Sequence, residues 1–159
     1  MHYSIENLSV VDFFVVPKFF FIPAIVEKRK PLSDKARRAG WTGCNILLSQ
    51  IPEQGKIYYV REEKEIEKSF VLSQMAASVR LQTENLDSRS WVMDVLNCVN
   101  ALPNNCFSLS DVYYFEDSLK KKHPDNHNIR AKIRQQLQVL RDKHFIEFLG
   151  NGQYRKILL

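Results

Sequence analysis

The sequence predicts an α+β protein in two parts, a mixed strand-and-helix region over residues 1–87 and a helical region closing on a hairpin over 88–159. Three observations predict it. Short apolar runs rich in Val, Ile, Phe and Tyr, punctuated by proline and glycine, fill the first half. From Ser88 onward apolar residues recur at helical spacing instead. The chain then closes on residues 145–149, Gly150-Asn151-Gly152 and residues 153–157, read as strand, tight turn, strand, because glycine and asparagine supply the positive φ such a turn demands.

Taken in order, Val10-Val11 and Phe13-Phe14-Val15-Val16, either side of Asp12, form an apolar strand ending at Pro17, and its pattern predicts burial on both faces. Residues 19–22 continue as a short helix or strand before Pro23. Residues 28–41 are basic and polar, with Pro31 and Gly40 as breakers, and are expected to be a loop. Further strand-like runs occupy 43–48 and 55–61, a charged turn 62–68 and a helix 70–79. The polar stretch 83–89 is expected to be a linker. A helix over 89–101 follows, with Ser88 as N-cap and Trp91, Val92, Val95, Leu96 and Val99 on one side. Pro103-Asn104-Asn105 ends it. Ser108 or Ser110 then caps a second helix to about 121, with Val112, Phe115 and Leu119 facing in. The third helix, about 128–143, is the most regular: Ile129, Ile133, Leu137 and Leu140 make one apolar stripe. Trp91, Met75, Met93 and the Phe19–Phe21 cluster read as core.

Composition limits the functional classes. With 45% apolar and 26% charged residues the chain is globular rather than disordered. The net charge of +5 is uneven: residues 1–87 hold 12 basic against 11 acidic residues, and 88–159 hold 11 against 7. Within the first part, Lys28, Arg29, Lys30, Lys35, Arg37 and Arg38 crowd into one segment, so there are two basic patches. Cys44, Cys98 and Cys106 lack the spacing of a disulfide framework or a zinc site and read as reduced thiols of a cytoplasmic protein. The apolar run 8–26 is interrupted by Asp12, Pro17, Lys18 and Pro23, which argues against a membrane span or signal peptide. His123, His127 and His144 have no metal-ligand spacing, and of the three only His127 is placed to touch a ligand of the third helix.

Three helices and a hairpin in about seventy residues is the winged-helix arrangement, whose third helix enters the major groove of DNA. Opposite the apolar stripe of that helix lie His127, Arg130, Arg134, Gln135, Gln138 and Arg141, with Asn126, Asn128 and Lys132 near its start. Asn and Gln suit adenine edges and Arg suits guanine. Carboxylates are nearly absent there until Asp142, whereas a merely solvated helix face usually alternates in sign. Lys120, Lys121 and Lys122, and Tyr154, Arg155 and Lys156, flank the helix and suit phosphates. Double-stranded DNA is the expected partner. A non-catalytic DNA-binding regulator and a protein-interaction winged helix are the alternatives.

The segment Ile133-Arg134-Gln135-Gln136-Leu137-Gln138-Val139-Leu140-Arg141-Asp142, with Ile146-Glu147-Phe148-Leu149-Gly150 and Tyr154-Arg155-Lys156, resembles the winged helix of the DpnI or Dam-replacing family of restriction endonucleases. Arg37-Arg38-Ala39-Gly40-Trp41-Thr42-Gly43-Cys44-Asn45, Val16-Pro17-Lys18 and Arg29-Lys30-Pro31-Leu32 are similar to segments of that family's nuclease domain. The resemblance spans essentially the whole chain. It implies a PD-(D/E)xK-type nuclease domain joined to a C-terminal winged helix-turn-helix, acting on adenine-methylated GATC-type sites in the bacterial cytoplasm, with Mg²⁺ and a structural Zn²⁺ in the complete enzyme. It also implies that residues 1–87 are the rear portion of the nuclease domain, and that the catalytic acidic-x-Lys motif and zinc-binding cysteines belong to a front half absent from this chain. No catalytic or metal-binding residue is therefore assigned. Glu62-Glu63-Lys64, with Asp34 or Asp12 upstream, is the one internal candidate, and its charged turn reads as solvated loop. The resemblance places Arg37, Arg38 and Trp41 against DNA, with Trp41 a candidate sensor of the N6-methyl group. A sheet lacking some of its strands would expose apolar surface, inviting self-association and leaving 1–87 the less stable part.

Overall fold

A computed structural model describes residues 1–157. The first part is built on a four-stranded antiparallel sheet with order β1-β2-β5-β6, from β1 (His2–Ser4), β2 (Ser9–Val15), β5 (Ile57–Arg61) and β6 (Lys64–Glu65). Between β2 and β5 the chain makes short 3-10 turns that bury Phe19, Phe20 and Ile25, then extends a two-stranded ribbon of β3 (Val26–Lys28) and β4 (Cys44–Ile46). Helix α1 (Lys68–Arg80) packs against β5.

The expectation of a strand buried on both faces is corrected. In β2, Phe13 and Val15 are each 38% exposed; Phe13 lies against Tyr59 and Phe14 against Tyr58, aromatic pairs that shield a sheet only partly covered by helix. Met75 and Phe21 are also exposed rather than core, while Phe19, Phe20, Trp91 and Met93 are buried as expected.

The second part runs α2 (Leu86–Ala101), β7 (Cys106–Ser108), α3 (Leu109–Tyr113), α4 (Glu116–Lys122), α5 (Ile129–Asp142), β8 (Ile146–Gly150) and β9 (Gln153–Lys156). The N-cap of α2 is Asn85, not Ser88: its side-chain oxygen accepts from the Ser88 amide, so the helix starts inside the stretch expected to be linker. Ser108 caps α3 in a reciprocal box with Asp111, which lowers the Asp111 pKa through hydrogen bonds from the Ser108 backbone and hydroxyl. The expected second helix is broken at Tyr114–Phe115 into α3 and α4. The stripe Ile129, Ile133, Leu137 and Leu140 of α5 is buried as expected. β8 and β9 form the wing; Gly150, Asn151 and Gly152 at its tip all take positive φ, and β7 adds a third strand, giving the order β7-β9-β8.

The two parts share one core. Phe19, Phe20, Ile22, Ile25, Ile51, Ala77 and Leu81 belong to the same buried cluster as Trp91, Val95, Leu96, Val99 and the α5 stripe. Polar contacts cross the seam too. Asn97 donates to the Gln50 carbonyl, Gln54 and Asn100 exchange side-chain hydrogen bonds, and Lys143 donates to the Arg80 carbonyl.

Candidate nucleic-acid interface

Because α5 buries positions 129, 133, 137 and 140, its helical period turns positions 130, 134, 138 and 141 outward. Arg130, Arg134, Gln135, Gln138 and Arg141 are all exposed. The approach to the helix is fixed by the Asn126 side chain, which accepts from the Asn128 amide, and it leaves His127 and Asn128 exposed at the helix start. These residues form one continuous face of cations and amides.

Neighbouring elements extend it. The Arg130 Nε donates to Glu116 at 2.7 Å, and its guanidinium lies 5.0 Å from the centre of the Tyr113 ring. Arg134 donates from Nη1 to the Tyr113 hydroxyl at 2.8 Å. At the far end of the face, Tyr154 of the wing is half-buried, and its phenol pKa is raised first by burial and then modulated by nearby Arg141 and Tyr113. Arg155 points out of the wing and pairs across strands with Glu147 at 3.5 Å. Tyr114, in the break between α3 and α4, is 87% exposed; the sequence reading missed it because the continuous helix it expected hides that turn.

Three lysines turn away from this face. Lys156 is half-buried and donates to the Leu102 carbonyl, and burial lowers its pKa. Lys132 is half-buried with its ammonium 5.7 Å from the centre of the Trp91 ring. Lys122 is held at 2.5 Å by buried Asp94, which also pairs with His123, itself stacked on Trp91 at 3.8 Å. Lys122 and Lys156 thus meet a carboxylate and a carbonyl inside the fold, and Lys132 an indole face, although the Lys122 side chain stays partly exposed.

The second basic patch is carried by the ribbon. Loop 29–43 is tied by hydrogen bonds from the Leu32 amide to the Trp41 carbonyl and from the Gly40 amide to the Leu32 carbonyl. Arg37 and Arg38 are exposed on it. Trp41 is 54% exposed and lies against Gly43, where a Cβ would meet the indole at 3.0–3.1 Å. Glycine at 43 therefore makes the seat for the ring.

A family model described as the Dam-replacing HTH domain matches residues 87–156, and one described as the Dam-replacing family, DpnI, matches residues 1–84. The chain belongs to the Dam-replacing family. Its C-terminal segment is the family's DNA-binding helix-turn-helix domain, and α5 lies within it. No helix among the described residues is long and apolar enough to cross a membrane.

The resemblance implies Mg²⁺ and a structural Zn²⁺ for the complete Dam-replacing enzyme, and the described residues offer no ready-made cluster for either. Among these, no three His, Cys, Asp or Glu side chains converge into a metal-binding group. Glu62 and Glu63 occupy the exposed β5–β6 turn at φ 51 and 64. Asp12 accepts from the Glu62 amide and Glu63 accepts from the Ser9 hydroxyl, so these carboxylates brace the turn. Asp34 lies on the ribbon loop instead. Cys44 and Cys106 are exposed on separate sheets, whereas Cys98 is buried in α2.

Proposed function

We propose that this Dam-replacing family chain is a bacterial cytoplasmic protein that binds double-stranded DNA at GATC-type sites and prefers those carrying N6-methyladenine. The exposed face of α5 carries this reading: Arg130, Arg134, Gln135, Gln138 and Arg141 present base-reading groups along one side of a helix whose other side is locked in the core. Asn126, His127 and Asn128 extend that face, Tyr154 and Arg155 contact the adjacent backbone, and Arg37, Arg38 and Trp41 engage DNA from the ribbon. We read residues 1–87 as part of the nuclease-type domain and 88–159 as the DNA-reading domain. The exposed residues Tyr3, Phe13, Val15 and Tyr59 of the β1–β2–β5 sheet are the surface through which self-association would occur.

Methyl preference is assigned to Trp41, an exposed ring on a glycine seat between basic residues, offering apolar surface to a methyl group in the major groove. Competition binding with matched methylated and unmethylated GATC duplexes tests it. The methylated duplex is expected to bind more tightly by about 1–3 kcal/mol. Trp41→Ala should narrow that difference, and equal loss on both duplexes would reject the role.

The placement of Glu62, Glu63, Asp12 and Asp34 supports a DNA-binding chain without a catalytic set of its own. Incubating the same methylated duplex with the protein and Mg²⁺ should leave it intact. Strand cleavage would overturn this part of the proposal and favour an active endonuclease.

A further inference from the structure

Arg130 and Arg134 are one turn apart on α5 and converge on a single side chain. Tyr113, the last residue of α3, is half-buried with its ring packed against the core. Its hydroxyl accepts from Arg134 Nη1 at 2.8 Å while its ring face carries the Arg130 guanidinium at 5.0 Å. Glu116, the first residue of α4, holds the Arg130 Nε from the other direction at 2.7 Å. Two flexible cations on the reading face are thus gripped by side chains from two other elements.

We propose that Tyr113 is a positioning residue that fixes the guanidinium of Arg134 for base contact, with Tyr113 and Glu116 together fixing Arg130. The proposal rests on α5 being the DNA-reading face. A free arginine samples many rotamers, and freezing it on DNA opposes binding. Held beforehand through Nη1, Arg134 keeps its Nε–Nη2 edge for bidentate contact with guanine. Glu116 has a second consequence. A carboxylate on a cationic face repels phosphate, so retaining one there lowers indiscriminate backbone affinity while orienting Arg130. Sequence discrimination would then depend on two residues that touch no base.

Tyr113→Phe is the direct test, because it keeps the ring, its packing and the contact with Arg130 and removes only the acceptor for Arg134. Binding is measured to an adenine-methylated GATC duplex and to a panel with single base-pair substitutions. The variant is expected to bind the best duplex roughly three- to tenfold more weakly. It should bind the substituted duplexes nearly as well as the parent does, with an unchanged salt slope because no phosphate contact is lost. In an Arg134→Ala background, adding Tyr113→Phe should change nothing. Parallel losses on every duplex, or the same loss without Arg134, would overturn the proposal and leave Tyr113 a packing residue. Side-chain NMR of the free protein separates this from the DNA-binding reading. Slow rotation of the Arg134 guanidinium that quickens in Tyr113→Phe supports the clamp even if no duplex binds, whereas fast rotation in the parent contradicts it whatever binds.

Discussion

At Cys98 a single thiol reports the packing of α2. Burial, reinforced by nearby Asp94, pushes its pKa from 9.0 up to about 12, while Cys44 and Cys106 are exposed. At pH 8 a thiol-directed reagent should therefore label Cys44 and Cys106 quickly and leave Cys98 unmodified until the protein is denatured, and mass spectrometry of the digest checks this. The sign of the pH effect follows. Above pH 9 the unfolded thiol ionises while the folded one stays protonated, so the Cys98 contribution to stability falls as pH rises from 9 toward 12. Equal labelling of all three cysteines in the native protein would mean that α2 is not packed as described. The same logic separates the cations. Arg134 and Arg141 have their stems on the outer side of α5 and face solvent, whereas Lys122, Lys132 and Lys156 find an internal carboxylate, an indole and a carbonyl.

At the scale of elements, what the sequence made legible was what periodicity controls. The α5 stripe has one period over its whole length, and its outer face follows from it by geometry. The wing followed from Asn151 and Gly152, whose positive φ is a local requirement. What stayed hidden depends on partners distant in the chain. β7 is only Cys106–Ser108 and exists because β9 pairs with it. The break at Tyr114–Phe115 leaves Val112 and Leu119 on the core just as an unbroken helix would, so the apolar pattern does not reveal it. Exposure of β2 was misjudged because a mainly apolar run, even with Asp12 inside it, reads as two buried faces, and nothing local says how much of a sheet is covered. In the wing, the expectation put Tyr154, Arg155 and Lys156 together against phosphates; Arg155 is exposed, but Lys156 commits inward to the Leu102 carbonyl, a partner 54 residues away that no local pattern names. Tyr113 was invisible for the same reason: its role depends on α3 meeting α5.

Taken whole, the molecule has one buried cluster running through both parts, which changes how it should come apart. A sheet lacking some of its strands implied that residues 1–87 would be the less stable part and the first to be digested. The shared core, with Phe20, Ile51 and Leu81 packed into the cluster that holds Val95 and Leu137, confines early cleavage to what lies outside it. Limited proteolysis should cut first in the ribbon loop 29–43, at Arg29, Lys35, Arg37 or Arg38, while α1 and α2 remain joined. Early release of an intact fragment beginning near residue 88 would show instead that the two parts unfold independently.

Whole-molecule charge leads to the central claim, that the outer face of α5 and the ribbon together hold duplex DNA. Fluorescence anisotropy of one GATC duplex titrated across a salt series tests it most directly, because each phosphate contact releases bound counterions. Four to six such contacts, from the ribbon arginines, the wing and the start of α5, give a log-log slope of about −4 to −5. Replacing Arg134 and Gln138 with alanine should weaken binding with little change in that slope, since base-edge contacts carry specificity rather than counterion release. No binding at low salt, or binding indifferent to both substitutions, would contradict the assignment of α5 as the reading helix.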